Sequence, residues 1–211
     1  MSIAEMIWTL LDSTFFQSIA VIISVYVAYR GVNAWQHQHV WTRNAELAEE
    51  LLVAVAEFKA ALKRVRNPVG FGGEGSTRRR EDDETQARSN ELDQLFTPIE
   101  RLRKEQQAFD RLSAAETKSR LRFGDKISAP LDSLVEVRQK VVGAAITRFQ
   151  RDRSEPHQQI TEREIEQRQA REEVIWETPG SDPIGDNVEQ AGTEIFNTLA
   201  RYFRERGISR R

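Results

Sequence analysis

Arg151 and His157 are the residues whose types and spacing come closest to a catalytic pair. A histidine titrates near neutral pH, so the His157 imidazole could act as a general acid or base. The Arg151 guanidinium could stabilise charge that develops on a phosphate. Arginine is abundant and the chain holds 3 histidines, so a chance match is the competing interpretation. The sequence offers no Ser/His/Asp or Cys/His nucleophile set.

The two residues fit the pattern R-x(4–6)-H, and this spacing resembles that of the HEPN ribonucleases, which are helical bundles. In that family the motif lies at a helix start in a dimer cleft, and Pro156 is compatible with a helix starting at His157. The resemblance implies RNA cleavage with His157 and Arg151 in the roles given above. The formal net charge is only −2, so no global field attracts nucleic acid. We therefore expect no nucleic-acid partner and favour a protein without catalytic activity.

Gly70–Gly75, GFGGEG, match the letters of the dinucleotide-binding pattern G-x-G-x-x-G. That fingerprint needs a strand before it and a helix directly after it. Here Pro68 precedes the glycines and a charged run follows them, Arg78–Arg80 and then Glu81–Glu84. We therefore predict a flexible, partly disordered loop whose arginines and acids pair with each other or with solvent, and no bound nucleotide.

His37 and His39 are the other residues that could bind a metal. Side chains at positions i and i+2 of a helix do not face the same side, and the chain has no cysteine. We expect no metal and no cofactor. The two histidines and the neighbouring Trp35 and Trp41 are better interpreted as an interfacial collar.

The segment Ser13–Tyr29, STFFQSIAVIISVYVAY, has no charged residue, and the apolar run extends back to Met6 with Asp12 as its one interruption. At 1.5 Å per residue these two lengths cover about 25 Å and about 36 Å, which brackets a bilayer core of about 30 Å. Tyr26 and Trp35 lie near one edge, where aromatic belts occur. The sequence therefore predicts a transmembrane helix.

Two alternatives compete with a membrane span. A secretory signal peptide would begin with basic residues, but Glu5 and Asp12 precede the apolar run and no Lys or Arg does. The triplet Val32-Asn33-Ala34 is the one loosely acceptable cleavage site. A buried core helix would also be apolar, because the uncharged segment is at the short end of the range for spans.

Charge predicts the orientation of the span. Arg30, Arg43, Lys59 and Lys63 follow the apolar segment, and the positive-inside rule places that side in the cytoplasm. We therefore expect a single-pass protein of the bacterial inner membrane with its N-terminus outside. The absence of cysteine agrees with a reducing compartment.

Small and weakly polar residues repeat along the span at helical spacing: Ser13, Gln17, Ala20, Ser24, Ala28 and Gly31. Such a small-xxx-small face lets two helix backbones approach closely, so it predicts a homo-oligomer. A ring of such helices could place Gln17 and Ser24 along a water-filled path, which would make a pore. Scattered polar residues in a simple anchor are the alternative.

The rest of the chain reads as all-α, because apolar residues form stripes and no alternating run predicts a sheet. We divide the whole chain into four parts. Residues 1–35 are the N-terminal tail and transmembrane helix, and 36–66 are a cytoplasmic extension of that helix. Residues 67–88 form a Gly- and charge-rich loop, and 89–211 contain the remaining helices. The extension carries an apolar seam of coiled-coil type: Leu51, Val55, Phe58, Leu62 and Val65. We expect the helices to pack as an antiparallel bundle.

Further helices are predicted from stripes and caps. One covers residues 89–121 and restarts or kinks at a capping box, Thr97 with Glu100. Another covers 129–153, and a short one begins at Thr161, which forms a second capping box with Glu164. The last is predicted over 188–206 with Asn187 as its N-cap.

The stretches FFQSIAVIISVYVAYRGVNAW, ELAEELL, GFGGEGSTRRREDDE and VIWE resemble a group of uncharacterised bacterial membrane-anchored helical proteins. The resemblance runs over most of the chain and implies an N-terminal span with a helical cytoplasmic domain. It implies no activity, substrate or site residue. In architecture alone, the plan is also similar to that of CRISPR-associated membrane-pore accessory proteins.

The sequence thus predicts a membrane-anchored helical protein that self-assembles or recruits a cytoplasmic partner through its transmembrane and cytoplasmic helices. The lipid bilayer and further copies of the chain are its expected partners. A membrane pore or effector, for example in antiviral defence, and a membrane-tethered HEPN-like ribonuclease remain the alternatives.

Overall fold

The structure is a computed structural model that describes the backbone of residues 3–154 and 161–204 and the side chains of residues 17–154 and 161–203. All regular elements in these ranges are helices, which confirms the all-α prediction. They are α1 (Ile3–Arg66), α2 (Gln86–Lys104), α3 (Gln106–Phe123), α4 (Asp125–Ser154), α5 (Glu162–Ile175), α6 (Pro183–Leu199) and α7 (Arg201–Arg204). The chain forms two compact units, Met1–Glu46 and Leu47–Arg211, and α1 contributes to both.

The core of the second unit is built on the predicted α1 seam. Leu51, Val55, Phe58, Leu62 and Val65 are all between 0% and 5% exposed. Because burying one such side chain is worth about 1.5–3 kcal/mol, the seam is a main source of stability in this unit. The rings of Phe58 and Phe109 pack edge to face at 5.5 Å, which joins α1 to α3. A coiled-coil pairing of this seam stays a prediction.

Helices α4 and α6 supply the facing side of the core. Every large residue of the α4 stripe is fully buried: Ile127, Leu131, Leu134, Val137 and Val141. The α6 stripe contributes Val188, Ala191, Ile195 and Leu199. Helix α1 is also joined to α3 at the surface by two ion pairs, Arg111–Glu57 at 2.8 Å and Lys118–Glu50 at 2.7 Å, and to Glu105, directly before α3, by Arg64–Glu105 at 2.6 Å.

Of the two alternatives predicted at Thr97, a helix restart or a kink, the restart is wrong. Helix α2 continues through Pro98, and the Thr97 hydroxyl donates to the Asp93 carbonyl at 3.1 Å within the same helix. The break lies instead at Glu105, which separates α2 from α3. Its carboxylate accepts two hydrogen bonds from Arg64, so a tertiary contact marks a boundary that no local capping pattern indicated.

Helices α4 and α6 both begin earlier in the structure than at residues 129 and 188, where they are predicted to begin. Helix α4 begins at Asp125, because Gly124 adopts a φ of 68° and lets the chain turn directly after α3. Helix α6 begins at Pro183, so Asn187 lies inside it and is not its cap. The start of α5 is confirmed, since the Glu164 carboxylate accepts the Thr161 backbone N–H at 2.9 Å. The predicted end of the last helix, at residue 206, lies outside the described residues.

Candidate functional site

The N-terminal part of α1 exposes a continuous apolar surface. Its large side chains are between 54% and 68% exposed: Val21, Ile22, Ile23, Val25, Tyr26, Val27, Tyr29, Val32 and Trp35. Successive residues of an α-helix point about 100° apart, so a run of adjacent apolar positions covers every side of the helix. Among the described residues this is the one helix long and apolar enough to cross a membrane, and none of its apolar window, of mean hydropathy 1.2, is buried.

The predicted small-residue face lies within this surface. Gln17, Ala20, Ser24, Ala28 and Gly31 are all exposed. The Ser24 hydroxyl donates to the Ala20 carbonyl at 2.8 Å, so it is satisfied within its own helix. A Cβ built on Gly31 would meet no atom within 4 Å. Ser13 belongs to α1, but its side chain lies outside the described residues.

Aromatic and basic residues follow the apolar surface. The rings of Trp35 and His39 stack with their centroids 5.7 Å apart, and the Arg30 guanidinium lies 5.8 Å from the centre of the Tyr26 ring. Such flat, polar-edged groups suit a membrane–water interface. Over the residues whose side chains are described, no cluster of three or more His, Asp or Glu side chains could hold a metal ion.

The Arg151 and His157 pair cannot be assembled from the described residues. The Arg151 side chain is 44% exposed and lies 3.7 Å from the Glu164 carboxylate. His157 lies outside the described residues. The structure therefore gives Arg151 a surface ion pair, and its pairing with His157 stays a prediction.

The glycine loop between α1 and α2 is folded through its own backbone. The Gly75 N–H donates to the Glu100 carboxylate at 2.7 Å, and the Glu74 N–H donates to the Phe71 carbonyl at 3.1 Å. The Phe71 N–H in turn donates to the Glu74 carboxylate at 3.0 Å. A phosphate-binding loop must leave such amides free for its ligand. These contacts agree with the expected absence of a nucleotide fingerprint, but they differ from the partly disordered loop that composition predicted.

Arg78 pairs with Glu84 of the same charged run, as one of the two expected alternatives, but it is buried, so a run that is solvated throughout is not what the structure has. Only 6% of this residue is exposed, and its guanidinium donates to Glu84 at 2.6 and 2.5 Å and to Asp93 at 2.6 Å. These hydrogen bonds from Arg78 lower the pKa of the Glu84 carboxyl to about 2. Arg79 is exposed, and Arg80 is half-exposed with a longer contact of 3.1 Å to Asp93. A buried arginine thus holds the end of the loop against the start of α2.

Arg101 holds the beginning of the loop. Its guanidinium donates to the Asn67 carbonyl at 2.5 Å, to the Val69 carbonyl at 2.7 Å and to the Glu74 carboxylate at 2.5 Å. The hydrogen bond from Arg101 lowers the pKa of Glu74. The adjacent Glu100 is also buried, and Lys104 together with the loop donors lowers its pKa.

Arg66 joins three elements at the end of α1. It forms two hydrogen bonds of 2.7 Å with the Asp182 carboxylate, which precedes α6. It also donates to the last carbonyls of α5, those of Glu173, Val174 and Trp176, at 2.9–3.0 Å. Burial is the largest single influence and opposes ionisation of Asp182, but the Arg66 hydrogen bonds, the Gly185 and Ile184 backbone N–H groups and the Arg66 charge together outweigh it, so the carboxyl pKa is lowered. Arg66 therefore satisfies helix-end carbonyls that would otherwise be unpaired.

An open cleft lies beside the glycine loop, and we call it the loop cleft. Its volume is about 790 Å³, and its lining includes Phe71, Gly73, Asp93, Gln94, Arg148 and Trp176. The Phe71 side chain is 68% exposed and Val69, in the same loop, is 60% exposed. Arg148 also lines the cleft; its side chain is 20% exposed and lies 2.8 Å from the Glu172 carboxylate. The cleft thus combines an exposed aromatic ring of the loop with a partly exposed arginine.

Sequence reasoning missed Arg66, Arg78, Arg101 and Glu100 as the residues that shape this region. A weak signal exists for Arg66, which directly precedes the helix-ending Asn67-Pro68. Arg78 is one of three consecutive arginines, so its local sequence does not distinguish it from exposed neighbours. Only the contacts with α2 separate the buried member from the others.

No known protein-family model, curated protein or solved structure matches this chain. The resemblance to membrane-anchored helical proteins therefore adds no function to the geometry described above.

Proposed function

We propose that this chain is a single-pass protein of the bacterial inner membrane, with its N-terminus outside and a helical domain in the cytoplasm. In this proposal it self-assembles or recruits a partner and has no catalytic activity. The single observation that supports anchoring is the exposed apolar surface on every side of α1 between Val21 and Trp35. Lipid can cover such a surface all round, whereas a protein partner would leave most of it in water.

Charge supports the proposed orientation. Glu5 and Asp12 precede the apolar surface, and Arg30 and Arg43 follow it. The basic side of a span stays in the cytoplasm.

The antiparallel bundle is supported by three ion pairs of α1, two with α3 and one with Glu105 directly before α3. They join residue 64 to 105, 57 to 111 and 50 to 118, so the residue number falls along α1 as it rises along α3, as expected for helices that run in opposite directions.

Cell fractionation tests the anchor. The full chain should sediment with membranes, resist extraction at alkaline pH and dissolve in mild detergent. Orientation can be read with single cysteines, because the natural chain has none. In intact spheroplasts an impermeant maleimide should label Ser2→Cys and leave Ser181→Cys unlabelled until the membrane is opened. Soluble protein after lysis without detergent would contradict the proposal.

Self-assembly is proposed to use the small-residue face. Replacing both Ala20 and Ser24 by leucine should block close helix approach and weaken cross-linked ladders in membranes. Val21→Leu with Val25→Leu is the matched control, since it adds bulk on an adjacent face of the same turns. Equal ladders from both double variants would remove this face from the assembly, and monomers under all conditions would remove assembly itself.

A pore is the second candidate, and the observation that favours it is an exposed Gln17 amide on the same face as the Ser24 hydroxyl. Induced expression should then depolarise cells, and Gln17→Leu should reduce the current. An unchanged membrane potential in cells that contain cross-linked oligomers would leave a structural assembly as the function.

A further inference from the structure

We propose that the loop cleft is a docking site for an acidic peptide segment of a cytoplasmic protein, with an apolar side chain on Phe71 and a carboxylate at Arg80 and Arg148. This deepens the recruiting part of the proposed function by giving the partner's chemistry. Such a site would lie entirely within the second unit, Leu47–Arg211.

The loop that borders the cleft is fastened at three places. Arg101 holds the Asn67 and Val69 carbonyls, Glu100 holds the Gly75 amide, and Arg78 holds the far end of the loop. These three charged residues are each only 6% exposed. Buried charges are a weak source of stability, but they can impose one conformation on a segment. The loop is therefore pre-organised, which reduces the entropy lost when a ligand binds.

Between these fastened points the loop presents apolar side chains to solvent. Val69 is 60% exposed and Phe71 is 68% exposed, and a held aromatic side chain at the edge of a cleft is a typical anchor for a protein segment. The glycines on both sides of Phe71 carry no side chain, so a bound segment could approach the ring from either face. Phe71 supplies the apolar half of the site.

The charge of the cleft favours a carboxylate-bearing ligand. The Arg80 side chain is 51% exposed, and its Nη2 contacts Asp93 at 3.1 Å. The Arg148 side chain is 20% exposed, and its Nε lies 2.8 Å from Glu172. A guanidinium binds a carboxylate well. Asn90 and Gln94 add neutral amides that suit a peptide backbone.

A nucleotide fits the cleft less well than a peptide does. The Phe71, Glu74 and Gly75 amides already donate to protein acceptors, so they are not available to phosphates. Glu74 and Asp93 also line the cleft, and two carboxylates would repel a polyanion. A single carboxylate on a peptide avoids most of this repulsion.

The test is a selection of displayed random 12-residue peptides on the purified full chain in detergent, followed by fluorescence anisotropy with the enriched peptides. We expect peptides that combine acidic and apolar residues. Phe71→Ala should weaken their binding at least tenfold, and so should replacing the peptide carboxylates by amides. Leu121→Ala is the matched control, because Leu121 is 87% exposed and does not line the cleft, and it should bind as the natural chain does.

A second pair of variants tests pre-organisation. Gly75→Ala should displace the loop and weaken binding although Phe71 is retained, whereas Gly143→Ala, in α4 and outside the cleft lining, should not. The proposal is overturned if no peptide is enriched, if binding is equal with Phe71→Ala, or if ATP or NAD competes at micromolar concentration. Enriched sequences that match this chain's own acidic segments would make a second copy the occupant and also overturn it. Membrane sedimentation of Phe71→Ala reports separately on the anchor, so the two proposals can fail independently.

Discussion

Gly75 lies against the backbone carbonyl of Asp93 so closely that a Cβ built on Gly75 would be 1.7 Å from the Asp93 oxygen. Gly75 also has a φ of +82°, a conformation that residues with a Cβ rarely adopt. Glycine is therefore required at position 75 for two reasons: its own φ is positive, and the α2 backbone at Asp93 leaves no room for a Cβ.

Replacing Gly75 by alanine should lower the free energy of unfolding by about 2–4 kcal/mol, because the loop must move and Glu100 then loses the Gly75 N–H. Gly72→Ala is the control, since a Cβ there meets no atom within 4 Å, and it should change stability by less than about 0.5 kcal/mol. Urea unfolding followed by circular dichroism measures both. Equal midpoints for the two variants would contradict the packing described.

Arg66→Lys should also cost about 2–4 kcal/mol, because an ammonium cannot reach the Asp182 carboxylate and the α5 carbonyls together. Arg64→Lys, two positions earlier, is the matched control. Arg64 is 58% exposed and bonds only Glu105 among the side chains, so its replacement should cost less than about 1 kcal/mol. Thermal unfolding in detergent measures the difference, and a tolerated lysine at position 66 would count against the role of Arg66.

Stability should fall in acid because the loop carboxylates must ionise to bind their arginines. The folded pKa of Glu84 is about 2 against an ordinary value of 4.5, so its contribution is complete above about pH 4.5 and is lost as the pH falls toward 2. Glu74 and Glu100 have pKa values lowered in the same direction. Glu84→Gln should be less stable than the natural chain at pH 7, and this difference should shrink toward pH 2. A difference that is constant with pH would show that the Glu84 charge is not involved.

Val21→Lys tests whether the free energy of membrane insertion holds the predicted span in the bilayer. The apolar residues of the predicted span supply roughly 2–5 kcal/mol toward insertion, and one lysine near the middle shifts insertion by about 3–4 kcal/mol in the other direction. We therefore expect a large fraction of Val21→Lys protein to leave the membrane pellet, while Val21→Leu stays in it. Complete retention of the lysine variant would indicate that an apolar protein surface, and not lipid, holds this segment.

The helical fold was predictable where a residue's own periodicity decides its environment. Leu51, Val55, Phe58 and Leu62 follow the seam and are buried, and Thr161 with Glu164 starts a helix as predicted. Local rules failed where a distant partner decides. Thr97 has the sequence of a cap, yet Glu100 turns to Gly75 across the loop and the helix continues.

The loop cleft was not predictable for a related reason. Composition marks residues 67–88 as a loop, although α2 begins at Gln86, and it cannot tell Arg78 from Arg79 or Arg80, because the three arginines are consecutive in the sequence. Their burial depends on whether Glu84 and Asp93 come within reach after folding. The exposure of Phe71 likewise follows from how its loop is held.

Arg66 contacts both ends of the connection between α5 and α6, because it donates hydrogen bonds to the Trp176 carbonyl at one end and to the Asp182 carboxylate at the other. A protease that cuts the exposed peptide bonds near Gly180 would thus produce two pieces that remain attached to the same guanidinium. Such a nicked molecule should elute as one particle and separate into fragments only after denaturation.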